Sequence, residues 1–203
     1  WHPNSKAIAY SCKKLKGLAY ARSTNTDIYL LDLTTGTTTN LTEGMMGYDN
    51  TPKFSSDGKY IAWTSMERDG YEADLNRLFM MNLGTKEKTF VTRDYELWVD
   101  QFEWLEGDKG FRFLSNDQGL GNLFEIDIKS LKATKITDYE MADVVGFAGN
   151  SKDFLYTLQS MKHPTDIYAF QAPKRRRAKA TMVKLSTEND ALLATIPNIE
   201  IQK

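Results

Sequence analysis

The residues with most chemical potential lie together in Met66-Glu67-Arg68-Asp69-Gly70-Tyr71-Glu72-Ala73-Asp74-Leu75-Asn76. Carboxylates form charge-assisted hydrogen bonds to an ammonium, and aromatic faces add cation–π attraction. A run of acids interleaved with tyrosine therefore suits a cationic ligand group, such as the free amino terminus of a peptide. Glu67 is the first candidate anchor and Glu72 the second, and Arg68 and Tyr71 stand beside them as substrate-binding candidates. The plainer reading of each is a polar loop residue turned to water.

No nucleophile accompanies them. The nearest approach to Gly-x-Ser-x-Gly is Gly149-Asn150-Ser151-Lys152-Asp153, which ends in Asp and falls in a strand-to-strand turn. His2 and His163 have no Cys or His at metal-ligand spacing. There is no phosphate-cradling glycine loop and no dinucleotide fingerprint, so no catalytic residue, metal or cofactor is expected in these residues. The 26 Lys+Arg and 27 Asp+Glu leave a net charge of -1, which argues against general attraction to nucleic acid or an anionic membrane. The basic run Pro173-Lys174-Arg175-Arg176-Arg177-Ala178-Lys179 lacks interleaved aromatics and reads as a solvated hairpin tip. No stretch approaches the ~18 apolar residues of a membrane span. Cys12 is the single cysteine; it is expected to pack as a small buried hydrophobe.

The elements that must position this loop repeat four times. Phe54-Ser55-Ser56-Asp57-Gly58-Lys59 aligns with Trp1-His2-Pro3-Asn4-Ser5-Lys6, Trp104-Leu105-Glu106-Gly107-Asp108-Lys109 and Phe147-Ala148-Gly149-Asn150-Ser151-Lys152. After each lysine, apolar residues stand two and four positions on: Ile8 and Tyr10, Ile61 and Trp63, Phe111 and Phe113, Phe154 and Tyr156. Period two predicts a strand with one face committed to packing. A second strand follows in each unit (Asp27–Leu33, Arg77–Leu83, Asn122–Ile128, Asp166–Ala172). A third ends in an apolar residue and a hydroxyl: Leu41-Thr42, Val91-Thr92, Ile136-Thr137, Leu185-Ser186. A repeat of roughly 45–50 residues is that of four-stranded propeller blades.

The fold class is thus all-β, a β-propeller of about four consecutive four-stranded blades over residues 1–187. The units span approximately 1–50, 51–99, 100–143 and 144–187. Because Trp1 sits where an innermost strand ends, the chain is expected to be a fragment, and residues 188–203 to begin a linker. An isolated arc would leave two sheet faces uncovered. In an up-and-down blade, the connection between strands two and three lies on the same side as the blade-to-blade connection. That face would gather residues 43–50 with Tyr48 and Asp49, the 66–76 excursion, residues 93–100 with Tyr95, Glu96 and Trp98, and residues 139–143.

The repeat unit resembles the propellers of TolB-type proteins and of prolyl oligopeptidase family serine peptidases. More specific are Asn40–Asp49 (NLTEGMMGYD), Ser65–Asp74 (SMERDGYEAD) and Ser160–Tyr168 (SMKHPTDIY), which look like the propeller of bacterial dipeptidyl peptidases of the dipeptidyl and acylaminoacyl peptidase type. The resemblance implies a seven- or eight-bladed propeller joined to a C-terminal α/β-hydrolase domain of the same polypeptide, which carries the catalytic Ser, Asp and His. It implies peptide substrates, a gating and substrate-positioning role, a periplasmic or secreted location, and room for a homodimer. The adjacent glutamate pair of some relatives is absent, so Glu67 and Glu72 are candidates by position alone. A non-catalytic, TolB-like propeller that binds another protein is the alternative.

Overall fold

In the computed structural model, residues 1–173, 175 and 179–196 are described. Most of the basic run (174 and 176–178) and residues 197–203 of the expected linker lie outside them. Among the described residues, fifteen strands form four antiparallel sheets, each with its strands in consecutive order. The first sheet holds β1 (Ala7–Cys12), β2 (Asp27–Asp32) and β3 (Thr38–Asn40), with a short helix α1 (Gly17–Arg22) between β1 and β2. The second holds β4 (Asp49–Phe54), β5 (Tyr60–Ser65), β6 (Arg77–Asn82) and β7 (Lys88–Phe90). The third holds β8 (Gln101–Trp104), β9 (Gly110–Asp117), β10 (Leu120–Asp127) and β11 (Ala133–Lys135). The fourth holds β12 (Ala142–Ala148), β13 (Phe154–Ser160), β14 (Asp166–Gln171) and β15 (Thr181–Lys184), and a helical turn α2 (Asp190–Leu193) follows. These up-and-down sheets are propeller blades. No helix among the described residues is long and apolar enough to cross a membrane.

The chain divides into two compact units, residues Trp1–Asp100 with Ile128–Leu131, and Gln101–Asp127 with the described residues from Lys132 on. In the first, Ile28 and Leu41 pack with Ile61, Trp63 and Met81, so that the first two sheets share one core. In the second, Leu114 and Leu123 pack with Val144, Phe147, Phe154, Tyr156 and Phe170. The period-two pairs Ile61/Trp63, Phe111/Phe113 and Phe154/Tyr156 are all buried. Ile8 and Tyr10 are only half-buried, because β1 is an edge strand of a three-stranded sheet. Cys12 is half-buried too, which corrects the expectation of a core position: it is the last residue of that same edge strand. The fourth sheet leaves Leu155, Ile167 and Val183 exposed on one face.

The recurrent sequence signals perform recurrent bonds. In the turn after β4, the Ser55 hydroxyl accepts the Tyr60 N–H at 2.9 Å and donates to Asp57 at 2.8 Å. The Lys59 N–H, the Ser55 hydroxyl and the Lys59 ammonium, in that order, hold the Asp57 carboxyl down to about 2. The hydroxyl closing each third strand accepts a backbone N–H of the second: Thr42 from Ile28, Thr92 from Leu78, Thr137 from Leu123 and Ser186 from Ile167, all within 2.9–3.1 Å.

The hairpin turns repeat as well. Asp32 accepts the N–H groups of Thr34 and Thr35, and Asn82 those of Gly84 and Thr85. Two residues further, the N–H of Gly36 returns to Asp32 and that of Lys86 to Asn82, each at 2.8 Å. That position needs left-handed backbone, with φ of 71° at Gly36 but 63° at Lys86 and 53° at Leu131. A Cβ is unfavourable there. Lys86→Gly is therefore expected to stabilise the β6–β7 hairpin by roughly 0.5–1 kcal/mol, seen as slower amide exchange at Lys88–Phe90. Unchanged or faster exchange would contradict it.

Candidate functional site

In the first unit the blade-one and blade-two excursions and the loop joining these blades come together. The residue that ties them is Asp69. Its Oδ1 accepts the Ser23 hydroxyl at 2.9 Å, the Thr24 N–H at 2.7 Å and the Asn25 N–H at 3.2 Å, while the Gly70 N–H donates to the Thr24 hydroxyl at 2.8 Å. These bonds, the Ser23 hydroxyl foremost, hold the Asp69 carboxyl below the usual carboxylate range. The third loop is fastened by an isolated parallel bridge between Thr26 and Tyr48 and by the Met66 N–H donating to the Tyr48 carbonyl at 3.3 Å. Gly47 permits this approach: a Cβ there would lie 1.9 Å from the Met66 carbonyl oxygen.

Between the three loops lies a cavity of about 340 Å³ lined by Lys13, Thr24, Tyr48, Met66 and Glu72. Lys13 is committed to the loop itself, donating to the carbonyls of Tyr20 (3.2 Å) and Ser23. Glu72 is exposed, and its carboxylate has no hydrogen-bond or ion-pair partner among the described residues.

The other three sequence candidates are placed differently. Glu67 forms an ion pair with Arg77, Nη1 to Oε2 at 3.3 Å, and the Arg77 Nε donates to the Ser65 carbonyl at 3.2 Å. Arg68 is clamped by Asp74, which accepts its backbone N–H at 2.8 Å and its Nε at 3.0 Å, and pairs with Nη2 as well. Its guanidinium lies 4.0 Å from the Tyr71 ring centroid. Asp74 is buried, and its carboxyl is held down first by the Arg68 hydrogen bond. Glu72 is thus the free acid of the cavity, Glu67 a paired one, and Arg68 and Tyr71 a stacked pair on the same excursion.

The expected acidic face needs one correction. Asp49 is fully buried because it begins β4 rather than ending a loop. Sequence reasoning passed over Lys13 and Thr24, which carry no signal beyond membership of a long connection. Asp69-Gly70 did carry a turn signal, though nothing local could show that its carboxylate reaches a segment about 45 residues away.

No protein-family model matches the chain. It is 42% identical over 203 residues to the dipeptidyl-peptidase 5 of Porphyromonas gingivalis and 45% identical over 201 residues to that of Porphyromonas endodontalis. These alignments cover 100% and 99% of this chain but 29% and 28% of the relatives, so the chain spans less than a third of the curated relatives it matches. Among solved structures, an acylaminoacyl peptidase of Pyrococcus horikoshii superposes over 98% of this chain and 28% of its own, with a TM-score of 0.72 and 18% identity. TolB of Acinetobacter baumannii does so over 91% of this chain and 42% of its own, with a TM-score of 0.59 and 21% identity. At such identities the superpositions speak for the propeller fold.

Proposed function

We propose that this chain, a β-propeller similar over its length to dipeptidyl-peptidase 5, gates and positions peptides for a serine peptidase site carried by the same polypeptide of the prolyl oligopeptidase family. Residues 1–187 are the blades on this reading, and 188–203 open the connection to an α/β-hydrolase domain. The exposed Leu155, Ile167 and Val183 suit cover by a further blade of a seven- or eight-bladed ring. A periplasmic or secreted location and a homodimer accord with the same family.

The observation that carries the substrate assignment is the unpaired Glu72 carboxylate in the loop cavity. A free ammonium entering there would gain a charge-assisted hydrogen bond from Glu72 and an aromatic face from Tyr48. Glu67 would contribute less, since Arg77 already neutralises it. Arg68, with Nε and Nη2 taken by Asp74 and its plane set by Tyr71, has Nη1 left to reach a peptide carbonyl. This division of roles favours Glu72 over Glu67, the acid that the sequence reading put first, because Arg77 pairs with Glu67.

The test begins with the intact protein, which should be labelled by a fluorophosphonate serine probe. Glu72→Gln should then lower kcat/KM for dipeptidyl substrates with a free amino terminus by roughly tenfold or more, the loss of one charged hydrogen bond. Amino-blocked substrates should change little, and Glu67→Gln should have a smaller effect. Labelling with equal losses on free and blocked substrates would reject the amine anchor while keeping the peptidase. Absence of labelling would favour the TolB-like binding propeller, the weaker alternative.

A further inference from the structure

Asp49 follows Tyr48, which lines the cavity. Its side chain is fully buried, and neither carboxylate oxygen accepts a hydrogen bond of good geometry. The Trp63 Nε1, also fully buried, has none either. Four residues face the carboxyl: Asp27 from β2, Thr42 from the end of the third strand, and Trp63 and Ser65 from β5. The hydroxyls have better-placed acceptors, Thr42 donating to Asp27 at 3.3 Å and Ser65 to the Met66 carbonyl at 3.1 Å. The one charged group of the four, Asp27, has the same sign as an ionised Asp49.

A carboxylate in such a setting loses its hydration and gains no counter-charge, which favours the neutral acid. Burial, the leading cause, pushes the Asp49 carboxyl up to about 6; weak hydrogen bonding from the Ser65, Thr42 and Trp63 side chains only partly opposes it, and the charge of Asp27 adds to it. The backbone around this carboxyl fastens the cavity wall. The Asp49 N–H donates to the Thr26 carbonyl at 3.2 Å, the Thr26 N–H to the Gly47 carbonyl at 3.2 Å, and the Thr26 hydroxyl to the Asp49 carbonyl at 2.8 Å.

We propose that Asp49 is a positioning residue controlled by protonation: its neutral carboxyl lets the Thr26–Tyr48 bridge close the cavity wall, and its ionisation draws the side chain toward water and loosens that bridge. The proposal goes beyond the amine-anchor reading and does not depend on it. A native value of about 6, above the ordinary 3.8, means that the native state binds more protons than the unfolded one between about pH 4 and 6. Stability therefore falls as pH rises through that window and levels off above it.

The experiment is amide exchange at Thr26, Asp49 and Met66, whose N–H groups make these bonds, in the intact protein, divided by the intrinsic rate at each pH. In the wild type, protection at pH 5 should exceed that at pH 7 by up to about tenfold. Asp49→Asn, neutral at both, should hold the high protection throughout. Wild-type protection that ignores pH, or an Asn variant that loses it in parallel, would overturn the proposal. If the Asn variant does not fold, carbon NMR of the wild-type Asp49 carboxyl decides, a midpoint near 6 supporting the proposal and one near 4 rejecting it. Glu72→Gln should leave this titration unchanged, so the two readings fail separately.

Discussion

Gly47→Ala should dismantle the loop cavity while leaving the blades folded. The added Cβ would lie 1.9 Å from the Met66 carbonyl oxygen, 2.3 Å from its carbon and 2.9 Å from the Glu67 nitrogen. All three are backbone atoms, so no side chain can swing aside, and separations this far inside van der Waals contact require one chain to move by more than an ångström. The segment that must move is held by the Thr26 N–H on the Gly47 carbonyl and by the Met66 N–H on the Tyr48 carbonyl. The expected cost is roughly 3 kcal/mol or more, in the overpacking range. Gly44→Ala is the control: its φ of 84° is unfavourable for alanine, but nothing lies within 4 Å, so it should cost only about 1 kcal/mol. Amide protection at Thr26 and Met66 should collapse in the first variant and persist in the second. Because Gly47 is not among the positive-φ glycines, equal effects would mean that the crowding at position 47 is relieved at little cost and would overturn the prediction.

Arg112→Met should be the most damaging substitution in the second unit. Arg112 is fully buried on β9. Its guanidinium pairs with Glu125, Nη2 to Oε1 at 2.6 Å, and donates to the carbonyls of Gly149 at 3.0 Å and Ser151 at 2.9 Å. It also stacks 3.6 Å from the Phe154 ring centroid. One planar fork therefore joins β10 to the turn before β13. Methionine fills much of the volume but strands two carbonyls without donors, which with the lost ion pair costs roughly 3 kcal/mol. Arg112→Lys keeps the charge, yet a single ammonium cannot reach acceptors set around a fork, so it should recover only part of the loss. The measurement is the urea midpoint together with amide exchange over residues 147–156. A lysine variant as stable as the wild type would show that charge alone suffices.

The repeat was legible because its signals are local. Alternating Ile61/Trp63 and Phe111/Phe113, the Ser55–Lys59 turn and the closing hydroxyls Thr42, Thr92 and Thr137 all act on neighbours in their own blade. Their register follows from period two and from turn chemistry. Arg112 shows where local reading ends: flanked by Phe111 and Phe113 it looks like a solvent-facing residue of an alternating strand, but it is covered by the next blade's turn, which no period reveals.

The candidate site divides in the same way. The sequence by itself determined that a long acidic, aromatic excursion follows β5 and that the joining loops belong on its side of the blade, because strand alternation dictates both. Only the tertiary structure decided that Arg77 takes Glu67, that Asp74 takes Arg68, that Glu72 stays free beside Tyr48, and that Asp49 is buried. The physical reason is that acids in one stretch are chemically alike until their partners are known. Several of the decisive contacts, such as Asp69 with Thr24 and Asp49 with Thr26, join segments that only blade packing brings within bonding distance.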